Sequence, residues 1–276
     1  IEDVLITYNI FGQQKLDKLR ALAKRVSLSV VADNMICIVG LSNAFEKSGM
    51  ELSVLVECDT GANRCGVISP EEALYLANAI IKLPGIRFGG LMTYPPIGKS
   101  SKVDSFLRKT KILIERHDIK VPVISVGGSP DMWNAEKLSV ATEYRIGTYI
   151  YNDRSLISRG VCKEKDCALT VLVTVVSTPT KERAVVDAGS KVLTSDLSDL
   201  VGHGHIVGYP NLKISSLSEE HGCITCDGPT GLSIGQKLQI IPNHACVVSN
   251  MLDHVIFVSH EKFEFEQRVA ARGQVW

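Results

Sequence analysis

The 276-residue sequence has no excess of charge of either sign. Lysine and arginine together number 30, aspartate and glutamate also number 30, and the formal net charge at neutral pH is +0. Proteins that bind phosphate backbones or anionic lipid surfaces carry a basic excess that this balance does not provide. We therefore expect a small-molecule ligand, with no nucleic-acid partner and no membrane surface.

Long hydrophobic runs are also lacking. The longest apolar stretch, Ala168 to Val176, contains Thr170 and Thr174 and is about half of the roughly 20 residues that span a bilayer. The first ten residues carry acids where a signal peptide carries bases. These features predict a cytoplasmic protein. The eight cysteines show no disulfide framework, so thiols or metal ligands are expected instead.

Segments rich in β-branched residues alternate with segments of helical pattern in the first part of the chain. Six such strands at a spacing near the roughly 31 residues per unit of a βα barrel predict a parallel sheet, open or closed. Ser69, Pro70 and Glu71 have the order of a helix start: a cap, a proline in the first turn and an acid facing the helix dipole. The predicted strands are 3–8, 28–33, 51–59, 86–94, 121–128 and 142–153, and the predicted helices are 16–25, 34–49, 69–85, 102–119 and 129–138.

The pattern changes after residue 155. Short strands separated by Gly, Pro and Asp turns follow, with no convincing helix, which predicts a β-rich second domain. We therefore expect two domains, a βα domain over residues 1–155 and a β-rich domain over 156–276. The strands of the second domain are predicted at 168–178, 183–190, 222–228, 236–248 and 254–260.

The candidate binding residues follow predicted strands, where parallel sheets place their ligands. The turn 59–66 would aim Arg64 at an anion or a ring oxygen, or leave it as an ordinary surface arginine. The turn 125–131 offers Gly128 and Ser129 at a helix N-terminus, which suits a phosphate but is also an ordinary strand-to-helix connection. Arg145 to Thr148 ends the sixth strand, where barrels often complete a phosphate site.

His244 and Cys246 are two residues apart in the second domain. In a strand they share one face, so the imidazole and the thiolate could meet one metal ion. Two ligands fall short of a structural zinc tetrahedron, which implies an open catalytic metal position or a third ligand from elsewhere. A buried pair without metal is the alternative. Further candidate ligands, or ordinary loop and strand residues, are Cys223, Cys226, His203, His205 and His221.

Seven motifs in order resemble the D-threonine aldolase and D-serine dehydratase family. They are CDTGANRCGV, GLMTY, SVGGSPD, TEYRIGTYIYND, VVDAGSK followed by Ser195 and Asp196, SEEHG and PNHACVV. The resemblance implies an α/β fold, a partial TIM-like βα barrel of the alanine racemase type followed by a β-rich C-terminal domain. It also implies pyridoxal 5'-phosphate as cofactor, a D-amino acid as substrate, and a homodimer.

The resemblance assigns roles to particular residues. It implies that Arg64 approaches the phenolic oxygen of the cofactor and that Tyr94 lies under or beside the pyridine ring. Arg145 falls where racemases place an arginine near the pyridine nitrogen. The cofactor phosphate would be held by Gly128, Ser129, Gly147 and Thr148.

The resemblance implies a divalent metal on His244 and Cys246. Dehydratase-like members carry His-x-Cys with zinc, whereas many aldolases carry His-x-Asp and favour manganese. Because thiolate is the softer ligand, zinc is favoured here, with manganese as the alternative.

Two departures from the family pattern stand out. The Schiff-base lysine lies on the family's first barrel strand, and we expect it, with two βα units of roughly 60 residues, to be missing upstream. The chain would then be a fragment that is inactive alone. The segment from Tyr94 to Gly98 also lacks the histidine common there in well-known members.

The sequence therefore predicts a lyase that depends on pyridoxal phosphate and a metal and acts on β-hydroxy-D-amino acids, by aldol cleavage or dehydration. One alternative is a non-catalytic, cofactor-binding or truncated relative. The other is an amino-acid racemase, which would need a second-domain tyrosine as its opposite-face base. The only tyrosine between residues 152 and 276 of the sequence is Tyr209.

Overall fold

The computed structural model of the protein describes residues 1–260 and 262–275. The chain divides into two compact units, one ending at Ile146 and the other beginning at Gly147. The composition change that set the expected domain limit comes later, after residue 155, and that limit remains a prediction.

The first unit contains a parallel sheet of six strands. Each strand pairs with the next one along the chain, in the order β1-β2-β3-β4-β5-β6. The strands are β1 Asp3–Ile6, β2 Ser27–Ala32, β3 Leu52–Glu57, β4 Ile86–Thr93, β5 Val123–Gly127 and β6 Glu143–Arg145. The helices between them are α1 Gln13–Ala23, α2 Met35–Glu46, α3 Pro70–Lys82 and α4 Ser100–Glu115, followed by a 3-10 helix at Ser129–Lys137. This architecture confirms the predicted α/β class and partial barrel.

The parallel sheet is buried on both faces at its third strand. In β3 every residue is buried, and alternate side chains point to opposite faces. Val54 and Val56 belong to the large core that packs against the helices, whereas Leu55 joins Val31 and Met92 in a small cluster on the inner face. Continuous apolar runs are typical of strands buried on both sides, which explains why these segments read as strands in the sequence.

Two helices of the first unit, α2 and α3, begin at side-chain caps that the sequence contains. Ser69 accepts a hydrogen bond from the Glu72 backbone N–H at 3.2 Å, and Pro70 is the first residue of α3. Asn34 caps α2 in the same way through the Cys37 N–H at 2.9 Å. Such caps satisfy helix N–H groups that have no partner within the helix. The predicted helix start at Ser69 is therefore confirmed.

The second unit is built on an antiparallel sheet of six strands in the order β10-β11-β8-β7-β12-β9. A separate hairpin, β13-β14, follows, and Phe257 stacks on Phe265 across it. The strands are β7 Val171–Thr180, β8 Arg183–Val186, β9 His205–Ile206, β10 Lys213–Leu217, β11 Gly222–Thr225, β12 Lys237–Ile241, β13 His254–Ser259 and β14 Lys262–Arg268. The short helices are α5 Arg154–Ser158, α6 Ser190–Leu193 and α7 Ala245–Met251.

Two predicted strands are shorter than expected. Strand β12 ends at Ile241, so His244 and Cys246 do not share a strand face. His244 is the N-cap residue of α7 and Cys246 lies in its first turn. Strand β6 ends at Arg145, before a 3-10 turn in which the N–H groups of Tyr151 and Asn152 bond to the Thr148 carbonyl. Local turn bonds thus replace the ladder bonds of the predicted strand.

In the described part of the chain no helix is long and apolar enough to cross a membrane. The eight cysteines are all free thiols, with Cys37 and Cys58 buried.

Candidate functional site

The loop that carries Arg64 is fixed by two carboxylates. Asp59 Oδ1 accepts hydrogen bonds from the N–H groups of the next turn, including Gly61 and Ala62, both at 2.8 Å. Asp33 Oδ2 accepts one from Gly66 N at 2.9 Å. Gly66 has a φ of 120°, and a Cβ there would clash with the Asp59 backbone. The glycine is therefore required for the loop to close.

Arg64, Tyr94 and Gly128 come together at the carboxyl ends of β3, β4 and β5. The Arg64 guanidinium carbon lies 4.6 Å from the centre of the Tyr94 ring, a cation–π contact. Gly128 has a φ of 150°, and a Cβ on it would lie 3.1 Å from Tyr94 Cε2. The backbone thus packs against the ring edge. A cation and an aromatic face suit a flat anionic ligand.

Arg145 extends from β6 across the inner face of the sheet. Its guanidinium donates hydrogen bonds to Ser125 Oγ and to the Thr93 carbonyl, the latter at 2.9 Å. The Gly128 N–H donates to the Arg145 carbonyl at 2.9 Å. Burial lowers the pKa of Arg145. Two of its donors are held by residues of β5 and β4, so the arginine supplies a fixed positive charge on the inner face of the sheet.

Glu57 is a buried carboxyl that the sequence analysis did not single out. It ends β3 and is 3% exposed. Burial, followed by repulsion from Asp33, raises its pKa, and the charges of Arg64 and Arg145 act in the opposite direction. The acid therefore partly offsets the charge of the two arginines. The sequence contained one signal for it, a charged residue at the end of a strand rich in Leu and Val.

The remaining predicted phosphate residues lie in two places. Ser129 is buried and opens the 3-10 helix of the first unit. Gly147 and Thr148 open the 3-10 turn at the start of the second unit. Thr148 Oγ1 lies 3.6 Å from the Cys246 sulfur, so within the second unit it adjoins the predicted metal pair.

His244 and Cys246 have side chains that bond to each other. Their hydrogen bond is the main reason that the pKa of His244 is raised to about 9 and that the pKa of Cys246 is lowered. Asp196 Oδ2 also bonds to His244 Nδ1 at 2.8 Å. A carboxylate on one ring nitrogen fixes the orientation of the imidazole.

Asp153 holds the backbone between the two candidate ligands. It is fully buried, and its Oδ2 accepts the Ala245 N–H at 3.0 Å. Its Oδ1 accepts from Ser155 Oγ at 2.7 Å and from Leu156 N at 3.0 Å. The carboxylate thus ties the start of α5 to the start of α7. A pair of ligands on a rigid turn keeps its geometry without a metal.

The donor set fits an open metal position better than a closed one. In the described residues no group of three or more His, Cys, Asp or Glu side chains is arranged to hold a metal ion. An imidazole and a thiolate together favour zinc, and catalytic zinc sites leave positions for water or substrate. Cys246 is exposed and His244 half-buried, so such positions would be accessible.

The comparisons with known proteins cover nearly the whole chain. The model of the alanine racemase N-terminal domain matches residues 5–155, and a serine dehydratase domain model matches residues 168–258. The 3-hydroxy-D-aspartate aldolase of Paracoccus denitrificans (strain Pd 1222) is 30% identical over 99% of this chain and 74% of its own length. The D-threo-3-hydroxyaspartate dehydratase of Delftia sp. (strain HT23) is 27% identical over 99% of this chain and 77% of its own length.

A solved structure shows the same architecture. The crystal structure of D-threonine aldolase from Filomicrobium marinum matches with a TM-score of 0.89 and 28% identity, over 100% of this chain and 78% of that one. The similarity therefore extends over both units of the fold.

Proposed function

Because the chain belongs to the D-threonine aldolase and D-serine dehydratase family of alanine-racemase-like lyases, we propose that it binds pyridoxal phosphate and a divalent metal and acts on β-hydroxy-D-amino acids. The family is one of pyridoxal-phosphate enzymes, and its relatives here include both aldolases and a dehydratase. The observation that carries the metal half of the proposal is the His244–Cys246 pair oriented by Asp196.

The first unit supplies a site that fits the cofactor. We assign the binding of the cofactor's phenolic oxygen to Arg64 and the contact with its pyridine ring to Tyr94. The stacked pair of side chains provides the charge and the flat surface for these two contacts. Gly128 and Ser129 would bind the phosphate, and the assignment of Gly147 and Thr148 to it stays a prediction from the family resemblance. Pyridoxal phosphate, when bound, acts as an electron sink for the substrate's Cα. The protein's task is to orient the bond that breaks.

Arg145 acts through its fixed charge. Its bonds to Ser125 and Thr93 hold the guanidinium on the inner face of the sheet. Glu57 moderates that charge and that of Arg64. Removal of either arginine should weaken cofactor binding, because each places a positive charge where an anionic ligand is expected.

His244 and Cys246 would hold the metal, with zinc favoured and manganese as the alternative. The metal would supply Lewis acidity to the substrate's β-hydroxyl. Asp196 keeps the imidazole oriented and Asp153 keeps the Ala245 backbone in place. These residues would serve aldol cleavage and dehydration equally, so only an activity assay distinguishes the two reactions.

The racemase alternative has less support. Tyr209 accepts a hydrogen bond from Gln236 Nε2 at 2.7 Å and packs against the core of the second unit. This hydrogen bond and this packing do not favour a proton-relay role for Tyr209.

We further propose a homodimer and, from the free thiols, a reducing cytoplasmic location. Light scattering during gel filtration tests the dimer.

The decisive activity test uses protein expressed from its complete reading frame. It is incubated with D-threonine or D-serine, with and without chelator. Glycine with acetaldehyde from D-threonine identifies aldol cleavage, and pyruvate with ammonia from D-serine identifies dehydration. The proposal expects one of these and its loss on chelation. Activity that ignores the chelator, or racemisation as the sole reaction, would contradict it. Absence of cofactor absorbance in the purified protein would favour a truncated relative that is not catalytic.

A further inference from the structure

We propose that Cys162 and Cys167 form a reversible disulfide site, a modification site that is separate from the cofactor and metal residues and independent of the proposed function. The two side chains hydrogen-bond to each other across the loop between α5 and β7. Both are half-buried, whereas the four residues between them are exposed. The two thiols are thus neighbours in one loop and accessible to a small oxidant.

The loop is held at both ends, so the contact does not depend on chance encounters of a mobile segment. The Val161 N–H donates to the Leu156 carbonyl at 3.0 Å, and the Ala168 N–H donates to the Tyr151 carbonyl at 2.7 Å. Between these anchors, Asn152 Nδ2 donates to the Asp166 carbonyl at 2.8 Å. Fixed ends reduce the conformational entropy that closing a bond would otherwise cost.

A 3-10 turn at Glu164–Asp166 folds the loop back on itself. Asp166 Oδ2 accepts the Lys163 N–H at 2.8 Å, and the Cys167 N–H donates to the Glu164 carbonyl at 3.0 Å. The Cys167 thiol also lies 3.8 Å from the Lys163 carbonyl, which places it beside the start of the loop. Disulfides require close Cβ atoms, and the turn brings this pair of cysteines together.

The local bonds assign an order to the two thiols. The Cys167 thiol donates to the sulfur of Cys162, which also accepts the Asp153 backbone N–H, and both bonds lower the pKa of Cys162. Burial raises the pKa of both thiols and, with the nearby charges of Cys162, Asp153 and Asp166, brings that of Cys167 to about 12. Because the thiolate is the nucleophile, Cys162 reacts first and Cys167 second.

The reaction with hydrogen peroxide is balanced by the two thiols. The sulfur of Cys162 attacks one peroxide oxygen, the O–O bond breaks, and the leaving hydroxide takes a proton to become water. The sulfur of Cys167 then attacks the Cys162 sulfenic acid, the S–O bond breaks, an S–S bond forms and a second water leaves. The thiols lose two electrons and two protons, and one peroxide becomes two waters.

Peptide mapping of the full chain tests the site directly. The reduced chain is treated with hydrogen peroxide at mildly alkaline pH, its remaining thiols are alkylated, and it is digested with trypsin. Lys163 and Lys165 are exposed cleavage points between the cysteines. We expect peptide 160–163 linked to peptide 166–181, with the mass of their sum less two hydrogen atoms, and release of the two by dithiothreitol.

Cys223 and Cys226 provide the internal control, because they too are half-buried and close in sequence. We expect both to be recovered alkylated after the same treatment. Separate alkylated or over-oxidised Cys162 and Cys167 peptides would overturn the proposal, as would a link from Cys162 to another cysteine. In the Cys167→Ser variant, dimedone should trap the sulfenic acid on Cys162. In the Cys162→Ser variant, dimedone should label Cys167 less than it labels Cys162 in the first variant. Equal labelling in the two variants would overturn the assigned order.

Discussion

Replacing Asp196 with asparagine tests whether this carboxylate orients His244 as a proposed metal ligand. The carboxylate lies 2.8 Å from His244 Nδ1, and the amide has nearly the same size without the charge. Removal of a partner that orients a metal-binding histidine typically lowers metal affinity by about 10- to 100-fold. That range corresponds to about 1.4 to 2.8 kcal/mol of binding free energy. We expect Asp196→Asn to lose affinity within it.

The assay is a cobalt(II) titration of the full chain, followed through the absorption of the cobalt–thiolate bond and repeated with zinc as competitor. Asp199→Asn is the matched control. Its side chain is 99% exposed and its backbone has a φ of 64°, a conformation that asparagine tolerates. The control should bind like the wild type. An unchanged affinity in Asp196→Asn, or an equal loss in both variants, would refute the orienting role.

Three further predictions concern the first unit. Gly66→Ala should lower the free energy of unfolding by at least about 1 kcal/mol, because φ is 120° and the added Cβ meets the Asp59 backbone; an unchanged urea midpoint would contradict this. Phe45→Ala should cost about 3 to 5 kcal/mol in the same measurement, because the ring is fully buried, and a loss below 1 kcal/mol would count against that packing. Glu57 has a folded-state pKa above its unfolded value, so its contribution to stability is present below about pH 4.5 and falls as pH rises through the folded pKa. Glu57→Gln should therefore gain thermal stability relative to the wild type between acidic and neutral pH, and a difference that does not change with pH would exclude that explanation.

The parallel half of the fold was predictable because its signals are local. Strand β3 is buried throughout, and four of its six residues are Leu or Val. Ser69 with Pro70 marks a helix start within three residues. The conformation at His244 is not local. Val247 and Val248 favour a strand, but Asp153, 92 residues earlier, accepts the Ala245 N–H and fixes the start of a helix. No sequence pattern around residue 244 contains that bond.

Other features lie between these extremes. Strand β14 alternates apolar and polar residues around Phe263 and Phe265, and this alternation is a strand signal that the sequence contains. The family resemblance implied that Arg64 and Tyr94 lie at the same cofactor, whereas the contact between their side chains is known only from the structure. The bonds of Arg145 to Ser125 and Thr93 depend on which strands are neighbours. They required the three-dimensional structure.

X-ray absorption at the zinc edge of the zinc-loaded full chain tests the metal pair most directly. With His244 and Cys246 as ligands, the spectrum should contain one sulfur scatterer at roughly 2.3 Å and one imidazole nitrogen at roughly 2.0 Å, with lighter atoms completing the shell. Cys246→Ser should lose the sulfur scatterer. A wild-type spectrum with only oxygen and nitrogen neighbours would contradict the proposed site.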